Sequence, residues 1–200
     1  MIYLGEQVNV NTVSSANLNR WIRESNFNQL NGAVLEGHGD RLKSKFEYYS
    51  NETEQNDDET EQNENENAKQ IRIYIDKIVP RMMNKIRIIH AAVSCGDLIA
   101  LQDNLKDNSK EKDDYISAKD HLGMTPLHKA TILGHLDVVQ FILEKFPESV
   151  NSRDREGRTP LHYAAATTNR NGNIIYRMLI RSGGDQRIKD SVKRLKVPKF

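Results

Sequence analysis

The chain has 200 residues, with 29 lysines and arginines against 28 aspartates and glutamates and a formal net charge of +1. That balance excludes a global field suited to nucleic acid or an anionic membrane. A single cysteine, Cys95, excludes an internal disulfide framework and a cysteine-rich zinc module.

Apolar residues make up 37% and the mean hydropathy is −0.71, so part of the chain is expected to lie outside any core. No apolar run of about 18 residues occurs, so no membrane-spanning helix is expected. The start, Met1 to Glu6, lacks the basic and apolar regions of a secretion signal. The expected setting is a reducing one, the cytoplasm, with the nucleus left open.

In chain order, residues 1–49 read as a helical N-terminal region. Leu18, Trp21 and Ile22 share one helical face, and Asn26 to Glu36 aligns with Gly134 to Glu144, Leu35 and Glu36 being identical to Leu143 and Glu144. Residues 50–69 carry eight acidic side chains and only Lys69, with no aliphatic side chain larger than Ala68. Such a segment cannot bury enough surface to offset its ordering entropy and is expected to be a disordered acidic insertion. Ile71, Tyr74, Ile75 and Ile78 then follow helical spacing ahead of Pro80, which predicts an extra helix over 70–79, packed on the first repeat.

A repeat dominates the second half. Asp120, Gly123, Thr125, Pro126, Leu127, His128 and Ala130 recur in register as Asp154, Gly157, Thr159, Pro160, Leu161, His162 and Ala164. Each residue has a physical reason for its place. Asp and Gly supply turn chemistry, Thr caps a helix whose first position is Pro, and Leu and Ala share one buried face. Gly134 should end the first helix. A second follows with Val138, Val139, Ile142 and Leu143 as its apolar stripe, stopped by Pro147. In the next unit Asn169 to Asn173 is expected to be a longer turn, and Ile174, Ile175, Met178 and Leu179 the second stripe. Upstream, Ile89, His90 and Ala92 followed by Gly96 and Asp97 repeat the pattern at about 85–118, with Arg87-Ile88 in place of Thr-Pro and extra polar residues near Asp107–Asp114.

This pattern resembles the ankyrin repeat, a unit of about 33 residues made of a β-turn and two antiparallel helices. The resemblance implies an all-α solenoid, with two full repeats at 120–186 and a divergent one at 85–118 in an ankyrin-repeat domain over 70–186, and a degenerate repeat at 15–45 in the N-terminal region 1–49. Residues 187–200 form a basic tail with six cations against Asp190. The Thr-Pro-Leu-His box (Thr125, Pro126, Leu127, His128 and Thr159, Pro160, Leu161, His162) is then structural. The same alignment makes His90 structural, and Cys95, beside Gly96 near a helix end, is expected to be a small core residue.

The resemblance also implies a non-catalytic module that binds a protein partner through the concave face formed by turn tips and first helices. The expected contacts are His121, Leu122, Met124 and Lys129 in one unit and Arg155, Glu156, Arg158 and Tyr163 in the next, with Tyr163, Arg155 and Arg158 as the centre of the interface. No catalytic residue, cofactor or metal site is expected. The alternatives are a regulator similar to the inhibitors of NF-kappa-B, or the N-terminal part of a larger ankyrin-containing enzyme or channel. Nucleic acid is not an expected partner, and an anionic contact through the basic tail stays open.

Overall fold

A computed structural model describes residues 13–54, 66–106, 111–167 and 170–191. The described residues are helices joined by turns, without a strand. They form two compact units, 1–84 and 85–200, so the division falls at residue 85 where the sequence places an edge at 70.

In the first unit, α1 (Ser15–Arg23) is capped by the Ser14 hydroxyl and buries Leu18, Trp21 and Ile22. After a turn in which Ser25 has φ 50°, Asn26 caps α2 (Phe27–Ala33). A wide π turn, Val34–His38, broken at Gly37 (φ 82°), leads into α3 (Gly39–Glu54). Gly39 lies so close to Met83 that a Cβ there would sit 2.7 Å from its sulfur. The chain is described again from α4 (Glu66–Ile73), a second π turn (Tyr74–Ile78) and α5 (Val79–Cys95).

Two expectations change here. The acidic insertion is narrower than 50–69, because 50–54 and 66–69 continue the flanking helices, which Glu, Ala, Lys and Gln favour; residues 55–65 lie outside the described residues. Pro80 also fails to end the helix before it. Its missing N–H and its ring would disrupt an ordinary α turn, but the preceding π turn widens the path, and Val79 N–H reaches back five residues to the Tyr74 carbonyl. Tyr74 is buried in the N-terminal unit, donating to Asn31 Oδ1 at 2.6 Å and packing on Phe27 with ring centroids 5.1 Å apart.

The second unit is a row of helix pairs. The end of α5 pairs with α6 (Leu98–Leu105), which Asp97 caps through the Ala100 amide. A short helix α7 (Glu111–Ser117) follows, overlapping the end of the polar stretch Asp107–Asp114 expected to hold the extra residues. Next come α8 (Pro126–Leu133) and α9 (Leu136–Lys145), a 3₁₀ turn from Pro147 to Asn151, then α10 (Pro160–Ala166) and α11 (Arg170–Arg181). One apolar core runs through all of them, from Ile89 and Val93 through Leu101, Leu127, Ile142 and Leu161 to Ile175 and Leu179. Each fully buried aliphatic contributes roughly 2–3 kcal/mol of transfer free energy, which outweighs the weak intrinsic stability of helices of seven to twelve residues.

The final pair departs from the sequence reading. Arg170–Asn173 form the first turn of α11 rather than a loop, and Gly172 is buried there because Thr167 fills the space a side chain would need. This rotates the stripe: Gly172, Ile175, Tyr176 and Leu179 face inward while Ile174 is exposed.

Candidate functional site

The two full units begin with the same turn. Asp120 Oδ1 accepts from the amides of Leu122 and Met124 at 2.8 and 2.9 Å, and Asp154 Oδ1 does the same for Glu156 and Arg158 at 2.9 and 2.8 Å. Gly123 and Gly157 close the turns at φ 79° and 74°, a region only glycine enters without strain. At Gly123 the absence of a side chain also makes room for stacking, since a Cβ there would lie 2.8 Å from the Arg155 backbone nitrogen.

The histidines lock these turns to the helices that follow. His128 Nδ1 accepts from the Thr125 amide at 3.2 Å, and His162 Nδ1 from the Thr159 amide at 3.1 Å. With Nδ1 accepting, the neutral ring carries its proton on Nε2. His128 Nε2 donates to the Arg158 carbonyl of the next unit at 3.0 Å. His90 likewise pairs with the Ala118 carbonyl at 3.0 Å. His162 Nε2 is buried with no hydrogen-bond partner among the described residues. Burial holds the His90 and His128 rings at about 4, well below the usual imidazole range, and pushes His162 in the same direction. Inter-helix turns are keyed as well: His135 Nε2 donates to the Ser94 carbonyl and Asn171 Nδ2 to the Gly134 carbonyl.

Asp154 is the centre of a larger network. Its Oδ2 accepts from Arg158 Nε at 2.8 Å and from the Tyr163 hydroxyl at 2.6 Å. The Arg158 guanidinium lies 4.9 Å from the Tyr163 ring centroid, a cation–π distance, and also pairs with Glu156 at 2.8 Å. Burial alone would raise the Asp154 carboxyl, but the Tyr163 and Arg158 hydrogen bonds hold it below its ordinary value. Burial and the bond to Asp154 push the Tyr163 hydroxyl up in turn. In the preceding unit Lys129 Nζ reaches Asp120 Oδ2 at 2.9 Å, and there too the hydrogen bonds outweigh burial and lower the carboxyl.

Of the eight expected contact residues, Arg158, Tyr163 and Glu156 converge on one network. Lys129 is half-buried on Asp120. His121, Leu122, Arg155 and Glu156 are exposed, and Met124 is half-buried. Arg155 rests its stem against Gly123. Cys95, expected in the core, is exposed, because Ala92 and Val93 face inward on that turn and leave it on the outer side.

A second group escaped the sequence reading. Lys129, Ile132 and Leu133 form an i, i+3, i+4 row on α8, and Tyr163 and Ala166 occupy the first two positions of the same register on the adjacent α10, which ends there. Ile132 and Leu133 are 41% and 50% exposed. Their signal was the i, i+3, i+4 spacing from Lys129, which groups them with its side of the helix. Among the described residues no group of three His, Cys, Asp or Glu side chains could hold a metal ion, and no helix is long and apolar enough to cross a membrane.

A family model described as ankyrin repeats, in three copies, matches residues 88–190, slightly more than half of the chain. The match takes in the divergent unit as well as the two full ones. Similar proteins include the ankyrin repeat domain-containing protein SOWAHB of Homo sapiens, 34% identical over 87 residues, which are 43% of this chain and 11% of that protein. Transient receptor potential cation channel subfamily A member 1 of Drosophila melanogaster is 31% identical over 106 residues, 53% of this chain and 8% of the channel. A probable serine/threonine-protein kinase of Dictyostelium discoideum is 37% identical over 89 residues, 43% of this chain and 10% of that protein. The chain thus spans about a tenth of the length of these relatives.

Proposed function

This chain belongs to the ankyrin-repeat family, and from that premise we propose that it acts as a non-catalytic module binding a protein partner on the inner face of α8 and α10. Ankyrin repeats generally mediate protein–protein interaction, and the observation that carries the reading here is the paired row on those two helices. Each helix buries one face in the common core and leaves its last turn exposed, at Ile132 and Leu133 on α8 and at Ala166 on α10. Ile132 and Leu133 are adjacent large aliphatics, both exposed, and covering them with a partner removes apolar area from water.

Site-specific photo-crosslinking in lysate tests this. A photoreactive residue placed at Leu133 should yield a discrete protein adduct, and the same residue at the exposed Glu144 of α9 should not. Adducts from Glu144 alone, or from neither position, would sink the reading.

A second reading draws on the coverage of the relatives, which include a channel and a kinase matched over about a tenth of their length. In that reading the stack is the recognition segment of a longer protein. A transcript whose reading frame continues past Phe200 would support it, and one that stops there would count against it.

A further inference from the structure

The inner face carries two kinds of chemistry at its two ends. Ile132 and Leu133 form the apolar end of α8, and Ala166 on α10, at the register of Ile132, is too small to cover them. At the other ends of these helices, about 10 Å along α8 by helical rise, the turns ahead of α8 and α10 present charge. Their carboxylates are engaged internally: Asp120 with Lys129, and Asp154 and Glu156 with Arg158. Arg153 and Arg155 are exposed, and neither forms an ion pair among the described residues. Arg155 is also partly ordered in advance, its stem lying against Gly123, so less side-chain entropy is lost when its guanidinium is engaged.

We infer, resting on the binding-module reading above, that the partner segment is an acidic peptide stretch with one large apolar side chain. The apolar side chain covers Ile132 and Leu133, and the carboxylates meet Arg153 and Arg155. A guanidinium accepts a carboxylate in a bidentate, charge-assisted pair, and such a segment satisfies both ends of the face at once. A basic segment would meet like charge at the turns, and a purely polar one would leave the aliphatic pair wet.

The test is selection from a random peptide library of about twelve residues displayed on phage, against the intact protein and against Leu133→Asp and Arg155→Glu. Both substitutions are at exposed positions, and matched urea midpoints establish that the variants are folded. Enriched peptides should carry net negative charge and at least one large apolar residue. An enriched peptide should lose about tenfold or more in affinity on Leu133→Asp, the scale of an interface hot spot. Arg155→Glu should weaken the same peptide and shift selection toward lysine-containing sequences.

Peptides that are net basic, peptides that lack an apolar residue, or affinity unchanged by Leu133→Asp would each overturn the inference. So would a selection that enriches nothing. If the Leu133 crosslink forms in lysate while the peptide chemistry fails, the module reading stands and only the acidic, apolar partner falls. If both fail, the module reading falls with it.

Discussion

Tyr163 donates its hydroxyl to Asp154 across 2.6 Å, tying the first helix of the last unit to the turn nine residues before it. The same ring meets His128 of the preceding unit edge-on, with centroids 5.8 Å apart. A side chain placed by its sequence position on a binding surface therefore also holds two units together.

Tyr163→Phe keeps the ring and removes only the hydroxyl. The buried Asp154 carboxylate then loses one of its donors while keeping Arg158 and two amides. The expected loss of unfolding free energy is about 1.5–3 kcal/mol, the range for hydrogen bonds to charged groups. Tyr163→Ala should cost more, because the contacts with Arg158 and His128 go as well. Urea denaturation of the two variants checks the order, and a Phe variant as stable as the parent would contradict the network's role. An alanine at 163 consequently confuses binding with stability, and Arg155→Glu or Leu133→Asp are cleaner probes of the surface.

Acid should destabilise the stack well above the carboxylate range. His90 and His128 have folded values of about 4 against 6.5 for the free side chain. Between those two values the unfolded chain binds more protons, so stability is complete above about pH 6.5 and falls as the pH drops toward 4. A shift of that size corresponds to roughly 3 kcal/mol for each ring at most. Asp120 and Asp154, whose folded values are lowered, add a further loss only as the pH falls from the ordinary carboxylate range through their own values. Equilibrium unfolding at pH 7, 5.5 and 4.5 checks the histidine window, and His128→Gln should flatten it.

Two glycines with positive φ should respond differently to alanine. Gly183 has φ 93° and open space where a Cβ would go, so Gly183→Ala carries only backbone strain of about 1–2 kcal/mol. Gly123 has φ 79°, and its Cβ would stand 2.8 Å from the Arg155 backbone. Gly123→Ala should therefore cost clearly more, since the stacked turn must shift as well. Thermal unfolding of both variants, with Gly123→Ala showing the lower midpoint, is the expected result.

The two box histidines are not equivalent in the stack. His128 bonds the next unit through Nε2, whereas His162 Nε2 has no partner among the described residues. His128→Ala should cost more than His162→Ala by about 1 kcal/mol, the net worth of one hydrogen bond. Paired denaturation curves decide it, and equal losses would show that the inter-unit bond contributes nothing measurable.

The repeated architecture was legible because its signals are local. Asp120 with Gly123, Thr125 with His128 and Pro126 at the helix start each act within a few residues, and they recur with the same chemistry at Asp154, Gly157, Thr159 and His162. The apolar positions Leu127, Ala130, Val138 and Ile142 are all buried as their spacing predicts. Pro80 and Arg170–Asn173 were misread because proline and glycine are strong local breakers. Here a π turn in one case and the packing of Gly172 on Thr167 in the other override that preference.

The candidate face divides along the same line. The residue order alone determined the Asp–Gly turns, the Thr-Pro helix starts and the buried positions of α8 and α9, because each follows from bonds and periodicities a few positions long. Only the tertiary structure decided that Arg158 and Tyr163 turn inward to a shared carboxylate, that Arg155 rests on the preceding turn, and that Ile132 and Leu133 remain outside. The Asp154 network closes over four to nine residues but needs the turn and the helix after it already in place, and the Arg155 contact with Gly123 joins neighbouring units some thirty residues apart, which no local preference spans.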